Sequence, residues 1–231
     1  MILSHRHRFI FIKTTKTAGT SVEIALSRLC GPEDIITPLA PRDEILRRQW
    51  QGRGPQHHLK PLSAYTPRDW WRWVRRRQRV NLFYNHMSAR EIRRLVGPDI
   101  WNGYFKFCFE RNPWDRVISY YYWRRQRRGL KLSLEEFIHS DELLRLKATG
   151  WGLYTLDGEV AVDRLCRYEN LQEELSEVLA GLGLDAPASL PRAKADLRED
   201  RRPYQRVLGP AERERIEEVF ADEIALLSYR F

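Results

Sequence analysis

The sequence predicts an α/β fold, a central parallel sheet flanked by helices, and three observations lead there. Apolar runs at Arg8–Ile12, Val80–Tyr84 and Tyr104–Glu110 read as strands, each followed closely by a helical pattern. The 231 residues are 42% hydrophobic, which is enough apolar material for one sizeable core. No internal repeat, low-complexity tract or linker divides the chain, so residues 1–231 are expected to form a single domain.

In chain order, the strand Arg8–Ile12 leads through a polar loop into a helix over Thr20–Leu29, which Gly31-Pro32 stops. A polar stretch from Pro38 to Pro67 holds a short helix near Asp43–Gln49 and a loop containing His57 and His58. Trp70–Arg77 read as a basic, aromatic helix in which Trp70, Trp73, Val74 and Arg77 share one face. Core packing is the expected role of that face, with sugar stacking or membrane-surface contact as the alternative. Strand Val80–Tyr84 follows, and Ser88 with Glu91 forms a capping box for a helix over Ala89–Val96. After strand Tyr104–Glu110, Asn112 is a good N-cap and Pro113 a good first helical residue for a long helix reaching about Arg128. Ser133 with Glu136 caps another helix, running through the 140s. Asp157-Gly158, between Leu153–Leu156 and Val160–Arg167, predicts a hairpin with a type I′ turn. A helix over Glu169–Leu182, a basic loop over Pro191–Tyr204 and a helix over Pro210–Leu227 complete the chain.

Forty Lys and Arg against 31 Asp and Glu leave a formal net charge of +9, which implies an anionic partner. Nucleic acid, anionic lipid, a nucleotide or an acidic glycan would each satisfy it. Cys30, Cys108 and Cys166 are too few and too scattered for a disulfide framework or a zinc site, so a reducing compartment is expected. No leader pattern precedes the first strand, and no apolar run approaches the ~20 residues a bilayer span needs. A soluble, cytoplasmic protein is expected. No acidic cluster or Cys/His spacing suggests a metal.

The loop Lys13–Ser21 is the most informative segment. A strand–loop–helix turn leaves amides unpaired at the helix N-terminus, where the macrodipole favours an anion. Lys16 adds a full charge, and Thr17, Thr20 and Ser21 add hydroxyl donors. An ordinary strand-to-helix connection is the bland alternative. A Walker A loop places its lysine after the second glycine. Here Lys16 precedes Gly19 and no upstream glycine exists, which argues against an ATPase or GTPase. A second anchor is Arg111, at a strand end, with Ser119 about two turns into the next helix. Ligands of doubly wound sheets sit beyond the carboxyl ends of strands, so Arg111 and the Lys16 loop belong to one edge. Arg111 and Ser119 would there share an anion; the competing reading is a buried arginine paired to a carboxylate, with Ser119 facing solvent.

Lys16-Thr17-Ala18-Gly19-Thr20-Ser21 resembles the 5′-phosphosulfate loop of sulfotransferases, P-K-T-[AG]-G-T-[ST], with Thr15 in place of the usual proline. The segment from Phe105 to Tyr121 resembles the 3′-phosphate segment of carbohydrate-type members, R-[DN]-P-x-[DE]-R-x-x-S-x-Y, and the likeness extends to Tyr168-Glu169-Asn170-Leu171. The resemblance implies a three-layer sandwich like that of P-loop nucleotide hydrolases. It also implies 3′-phosphoadenosine 5′-phosphosulfate (PAPS) as sulfuryl donor. On that match Lys16 reaches the oxygen bridging sulfur and phosphorus, and the loop from Thr17 through Ala18, Gly19, Thr20 and Ser21 holds the 5′-phosphate. Arg111 and Ser119 bind the 3′-phosphate, while Asn112, Pro113 and Asp115 look structural. Glu110 stands where valine is commoner, and strand alternation should point it away from Arg111. A hydroxyl acceptor on a glycan or glycolipid is implied as partner by the likeness to carbohydrate-type members; surface membrane contact is compatible with that partner, and nucleic acid is not expected.

His86 follows a strand end and precedes a capped helix, so it should open onto the ligand edge as a general base. His86-Met87-Ser88-Ala89-Arg90-Glu91 also resembles the family stretch carrying the histidine base. Capping of that helix is the alternative role, and His57 and His58 are the competing bases. The basic run Arg192, Lys194, Arg198, Arg201 and Arg202 is either solvated or, by the resemblance, a loop closing over the nucleotide. The rival functions are a phosphotransferase on a related scaffold and a basic nucleic-acid-binding protein.

Overall fold

A computed structural model describes residues 1–191, 193 and 199–231. Strands β1 (Ile2–Ser4), β2 (Phe9–Phe11), β3 (Ile35–Ile36), β4 (Phe105–Glu110) and β7 (Arg164–Arg167) form one sheet in the order β3-β1-β2-β4-β7. β2 pairs parallel with β4, Phe9 opposite Phe105, and β4 pairs parallel with β7, Cys108 opposite Leu165. β1 runs antiparallel to both its neighbours, so the sheet is mixed, with β1 alone reversed. The expected central parallel sheet is present in β2, β4 and β7, and β1 is added to it in reverse: Ser4 and Phe9 lie opposite each other across a tight turn, and only an antiparallel neighbour can be joined so closely.

Strand alternation sends side chains to both faces, and helices cover both. Phe9, Phe11, Phe107 and Phe109 pack with Val22 and Leu26 of α1 (Gly19–Ser27) and with Leu175, Val178 and Leu179 of α9 (Leu171–Gly181). Ile10, Ile12 and Cys108 face Ala89, Ile92 and Trp101 of α4 (Ala89–Gly103) and Tyr154 of α8 (Trp151–Tyr154). This is a three-layer α/β architecture. A third cluster gathers Trp114, Val117, Ile118 and Tyr121 of α5 (Pro113–Arg128) with Phe137 of α6 (Leu134–Ile138) and Leu143 of α7 (Asp141–Ala148). Ile216 of α10 (Pro210–Val219) and Leu227 of α11 (Ala221–Leu227) close it.

Local chemistry sets the boundaries. Capping boxes at Ser88/Glu91 and Ser133/Glu136 start α4 and α6, and Asn112 accepts from the Asp115 amide at 3.3 Å to cap α5. α4 continues beyond Val96 across a kink at Gly97-Pro98, where Gly97 takes φ 79°. β5 (Thr155–Leu156) and β6 (Glu159–Val160) form a hairpin around Asp157-Gly158, both at positive φ, while Arg164–Arg167 leaves it to join the main sheet. The final helix breaks at Phe220 into α10 and α11.

Two expectations fail. Val80–Tyr84 is not a strand: the Leu82 and Phe83 amides both donate to the His58 carbonyl, at 2.8 and 3.0 Å, and the chain bends there instead of continuing a regular ladder. Only the isolated bridge Leu59–Asn81 remains. The aromatic helix α3 (Pro67–Arg76) does not pack into the core, because Pro61–Arg79 is an excursion closed at its base, and within it only Asp69 is buried. α2 (Pro41–Gln49) forms where expected.

Candidate functional site

Three parallel strands deliver their carboxyl ends to one place: β2 runs into the Lys13–Ser21 loop, β4 ends beside Arg111, and β7 ends beside Tyr168. The cavity there is about 750 Å³ and is lined by residues from all three segments, including Lys16, His86, Arg111, Ser119 and Tyr168.

The loop is shaped to present amides. Lys16 and Ala18 adopt left-handed backbone, φ 68° and 56°, with Thr17 between them outside that region. Such alternation turns successive N–H groups toward one side and makes a concavity suited to an anion. α1 then begins at Gly19 with no side-chain cap and no acidic residue in its first turn, unlike α3, α4 and α6 with their capping boxes. Gly19 is required by close approach, since a Cβ there would meet Lys13 Cγ at 2.7 Å. The loop is held from behind. Arg116, wholly buried, donates from Nε to the Thr15 carbonyl at 3.0 Å and from Nη1 to Glu110 at 2.8 Å. The Thr15 amide donates to the Thr149 carbonyl at 3.1 Å.

Arg111 meets this loop although ninety-five positions separate it from Lys16. Its Nη1 donates to the Lys16 carbonyl at 3.1 Å, and Nε and Nη2 donate to Asp115 at 3.0 and 2.5 Å. The guanidinium lies over the Tyr168 ring, 4.1 Å from its centroid. Asp115 and the Lys16 carbonyl thereby fix its plane and leave one N–H on each terminal nitrogen directed elsewhere. Ser119 lines the same cavity, together with Tyr120 and Trp123, whose rings stack at 5.6 Å.

His86 sits across the cavity at φ 59°. A carbonyl can only accept, so the 3.0 Å contact from His86 Nδ1 to the Lys13 carbonyl places the proton on Nδ1 and leaves the Nε2 lone pair open. Desolvation of the inner ring edge against the cavity wall, then the Lys13 ammonium, push the imidazole down to about 4, although the residue as a whole is exposed to the cavity. Lys13 itself is paired with buried Glu23 at 2.6 Å. Burial alone would raise the Glu23 carboxyl, but Lys13, the Met1 amine and Arg47 outweigh it and hold it at about 2.

The structure thus brings Lys16, Ala18, Gly19, Thr20, Ser21, His86, Arg111 and Ser119 to one cavity. The Thr17 hydroxyl is a correction to the expected donor set. It points inward to Thr14 Oγ1 at 2.7 Å, whose own hydroxyl donates to the Phe109 carbonyl, so only the backbone of Thr17 belongs to the loop's concave side. Glu110 is fully buried beneath the site, bound to Arg116 and to the Arg111 amide. His57 and His58 do not line the cavity, and His57 Nε2 instead donates to the Pro32 carbonyl at 2.8 Å. Arg192, Lys194 and Arg198 lie outside the described residues; Arg202 pairs with Asp200, while Leu190, Pro191 and Ala193 border the cavity. Sequence reasoning missed Lys13, Arg116 and the Tyr168 platform. The basic residue at position 116 of the Arg111 motif was the available signal. Among the described residues no group of three or more His, Cys, Asp or Glu is placed to hold a metal ion.

Residues 1–149, which contain the Lys16 loop, His86 and the Arg111–Ser119 segment, match the model described as "Sulfotransferase family". The chain belongs to the sulfotransferase family. An uncharacterized protein of Archaeoglobus fulgidus is 39% identical over 102 residues, 42% of this chain and 83% of that protein. Among solved structures, mouse sulfotransferase SULT7A1 complexed with PAP is similar at 14% identity and TM-score 0.46, over 96% of this chain and 85% of that one. A sulfotransferase from Alicyclobacillus acidocaldarius is similar at 18% identity and TM-score 0.44, over 97% of this chain and 96% of that one.

Proposed function

We propose that this sulfotransferase moves a sulfuryl group from PAPS to a hydroxyl on a glycan or glycolipid. The observation that carries the reading is the 3.1 Å contact between Arg111 Nη1 and the Lys16 carbonyl, which joins two cationic residues from distant segments at one cavity. A donor with phosphate at both ends of an adenosine suits that arrangement. The uncapped start of α1 and the turned amides from Thr17 to Ser21 take the 5′-phosphate. The remaining N–H groups of Arg111, with the Ser119 hydroxyl, take the 3′-phosphate.

The acceptor oxygen attacks sulfur as the bond from sulfur to the bridging oxygen breaks. The acceptor proton passes to His86 Nε2, and the product leaves as 3′-phosphoadenosine 5′-phosphate (PAP). The Lys13 carbonyl fixes the imidazole tautomer for this step, and a positioned base contributes ~10²–10⁴ in rate. Lys16 meets the charge growing on the bridging oxygen, a contribution of ~3–4 kcal/mol. A strongly anionic donor beside His86 also raises the imidazole's proton affinity, which favours proton uptake only once the donor is bound.

Thermal-shift titration tests donor recognition. PAP should raise the midpoint well above the value reached with equal ADP, and Arg111→Ala should remove the difference. Equal responses to the two nucleotides would favour a phosphotransferase. With labelled PAPS and a glycan panel, Lys16→Ala should lower turnover by about 10²–10³; turnover near wild type would overturn its assigned role.

A further inference from the structure

The segment Pro61–Arg79 has no place in the core. Its ends are tied together where the Lys60 amide donates to the Val80 carbonyl at 2.8 Å and the Val80 amide donates to the Tyr65 hydroxyl at 3.0 Å. None of its residues enters the three core clusters. Inside it, Thr66 and Asp69 form a capping box and Lys60 pairs with Asp69 at 2.7 Å, so α3 is a well-started helix. The helix nonetheless faces outward: Trp71 is 59% exposed, Val74 74%, Trp70 41%, and neighbouring Leu62 42%. Among the described residues Trp70 meets the rings of Tyr65 and Trp73 within the same excursion, and the large apolar side chains left open beside it mark an interaction surface.

Their angular order identifies the partner. At 100° per residue, Trp73, Trp70, Val74, Pro67 and Trp71 span one continuous arc, and Arg75, Arg68, Arg72 and Arg76 span the adjoining one. Arg77 and Arg79 extend the basic side beyond the helix end. All six arginines are exposed, and none pairs with a described carboxylate. The Arg75 guanidinium lies 5.2 Å from the Trp71 ring centroid, at the seam between the arcs. Tryptophan at an apolar–polar boundary beside an unpaired arginine face is the chemistry of an interfacial helix lying on an anionic bilayer. A polyanion alone would leave Val74 and Leu62 without a partner.

We propose that α3 docks this protein onto anionic lipid surfaces, with the Trp70–Trp71–Val74 arc in the acyl boundary and the arginines among the headgroups. The proposal stands apart from sulfuryl transfer and does not depend on the acceptor. The excursion rejoins the fold at Asn81, five residues before His86, so a docked helix would hold the cavity wall close to the membrane.

Flotation of the full chain with phosphatidylcholine vesicles, and with equimolar phosphatidylcholine and phosphatidylglycerol, tests it. Association is expected only with the anionic vesicles. Arg72→Glu with Arg76→Glu should weaken it by about fivefold or more for each arginine removed. Trp71→Ser with Val74→Ser should weaken it at least as much, with the thermal midpoint retained. The three native cysteines are buried, so Val74→Cys offers an accessible thiol for a polarity-sensitive dye, whose emission should shift to the blue on anionic vesicles. The proposal is overturned by no flotation with anionic vesicles or by an unshifted dye. It is equally overturned if the Trp71/Val74 variant binds as tightly as wild type while heparin or RNA binding depends on the arginines, which would make α3 a polyanion site. Self-association lost in the same variant, without lipid binding, would make it a dimer face and overturn it too.

Discussion

The low proton affinity of His86 follows from the surroundings of its inner ring edge, which the cavity wall encloses and which faces the Lys13 ammonium while the rest of the residue is exposed. A base whose folded value drops from 6.5 to about 4 stays neutral through the whole range in which an ordinary imidazole would become charged. The acidic limb of kcat/KM, which reports the free enzyme, should therefore lie well below pH 6.5. The limb of kcat should lie higher, because the bound anionic donor restores proton affinity. A kcat/KM limb at or above pH 6.5 would remove His86 as the base or the burial as the cause. The same residue bears on stability: the unfolded chain binds more protons here between pH 6.5 and 4, so folding weakens as pH falls through that window. Glu23 works in a lower window. Its carboxyl, at about 2 in the fold, contributes fully above pH 4.5 and loses that contribution progressively as pH falls from 4.5 to about 2.

At the scale of elements, α4 ties His86, the proposed base, to the sheet. Ser88 stands two residues after His86; its hydroxyl accepts from the Glu91 amide at 3.3 Å and donates to the Glu91 carboxylate at 2.7 Å. Ile92 and Ala89 of the same first turns are buried against the sheet. Ser88→Ala should cost about 1 kcal/mol and lower the thermal midpoint by roughly 2–4 °C. Turnover should fall while PAP binding, assigned under the proposed function to other segments, is retained; calorimetry and nucleotide titration check both. An unchanged midpoint would mean that packing, not the cap, holds this helix start. α5 shows a second coupling, since its first turn supplies Asp115 to orient Arg111 and Arg116 to support the Thr15 carbonyl. A single helix start thus sets both the cationic fork and the loop opposite it.

Across the whole molecule, the layer beneath the cavity carries a buried charge system. Arg116 and Glu110 pair at 2.8 Å with both side chains inaccessible, and Gly150 is needed there because a Cβ would come 2.1 Å from Arg116 Nη2. Glu223 of α11 lies nearby, wholly buried, with neither carboxylate oxygen hydrogen-bonded to another described residue and Lys147 4.0 Å away. Burial, with the Glu110 charge adding to it, raises its carboxyl to about 7. The folded state therefore holds this proton more tightly than the unfolded chain, and stability falls as pH rises from 4.5 to about 7. Glu223→Gln should flatten that slope and leave the variant more stable than wild type at pH 8 by ~2–3 kcal/mol. Urea unfolding at pH 5 and pH 8 checks it, and identical slopes for the two proteins would refute the assignment.

Short-range patterns determined the Lys16 loop, the strand before Arg111, the capping boxes at Ser88 and Ser133 and the turn at Asp157-Gly158, because each needs only a few neighbouring residues to form. Residue spacing along α5 likewise placed Ser119 on the Arg111 side. Tertiary structure alone decided that β1 runs antiparallel, that Val80–Tyr84 pairs with no strand, that α3 faces outward, and that Lys13, Arg116 and Tyr168 surround the cations. Those outcomes depend on which distant segments come to lie side by side and which surfaces stay uncovered, and neither periodicity nor local propensity carries that information.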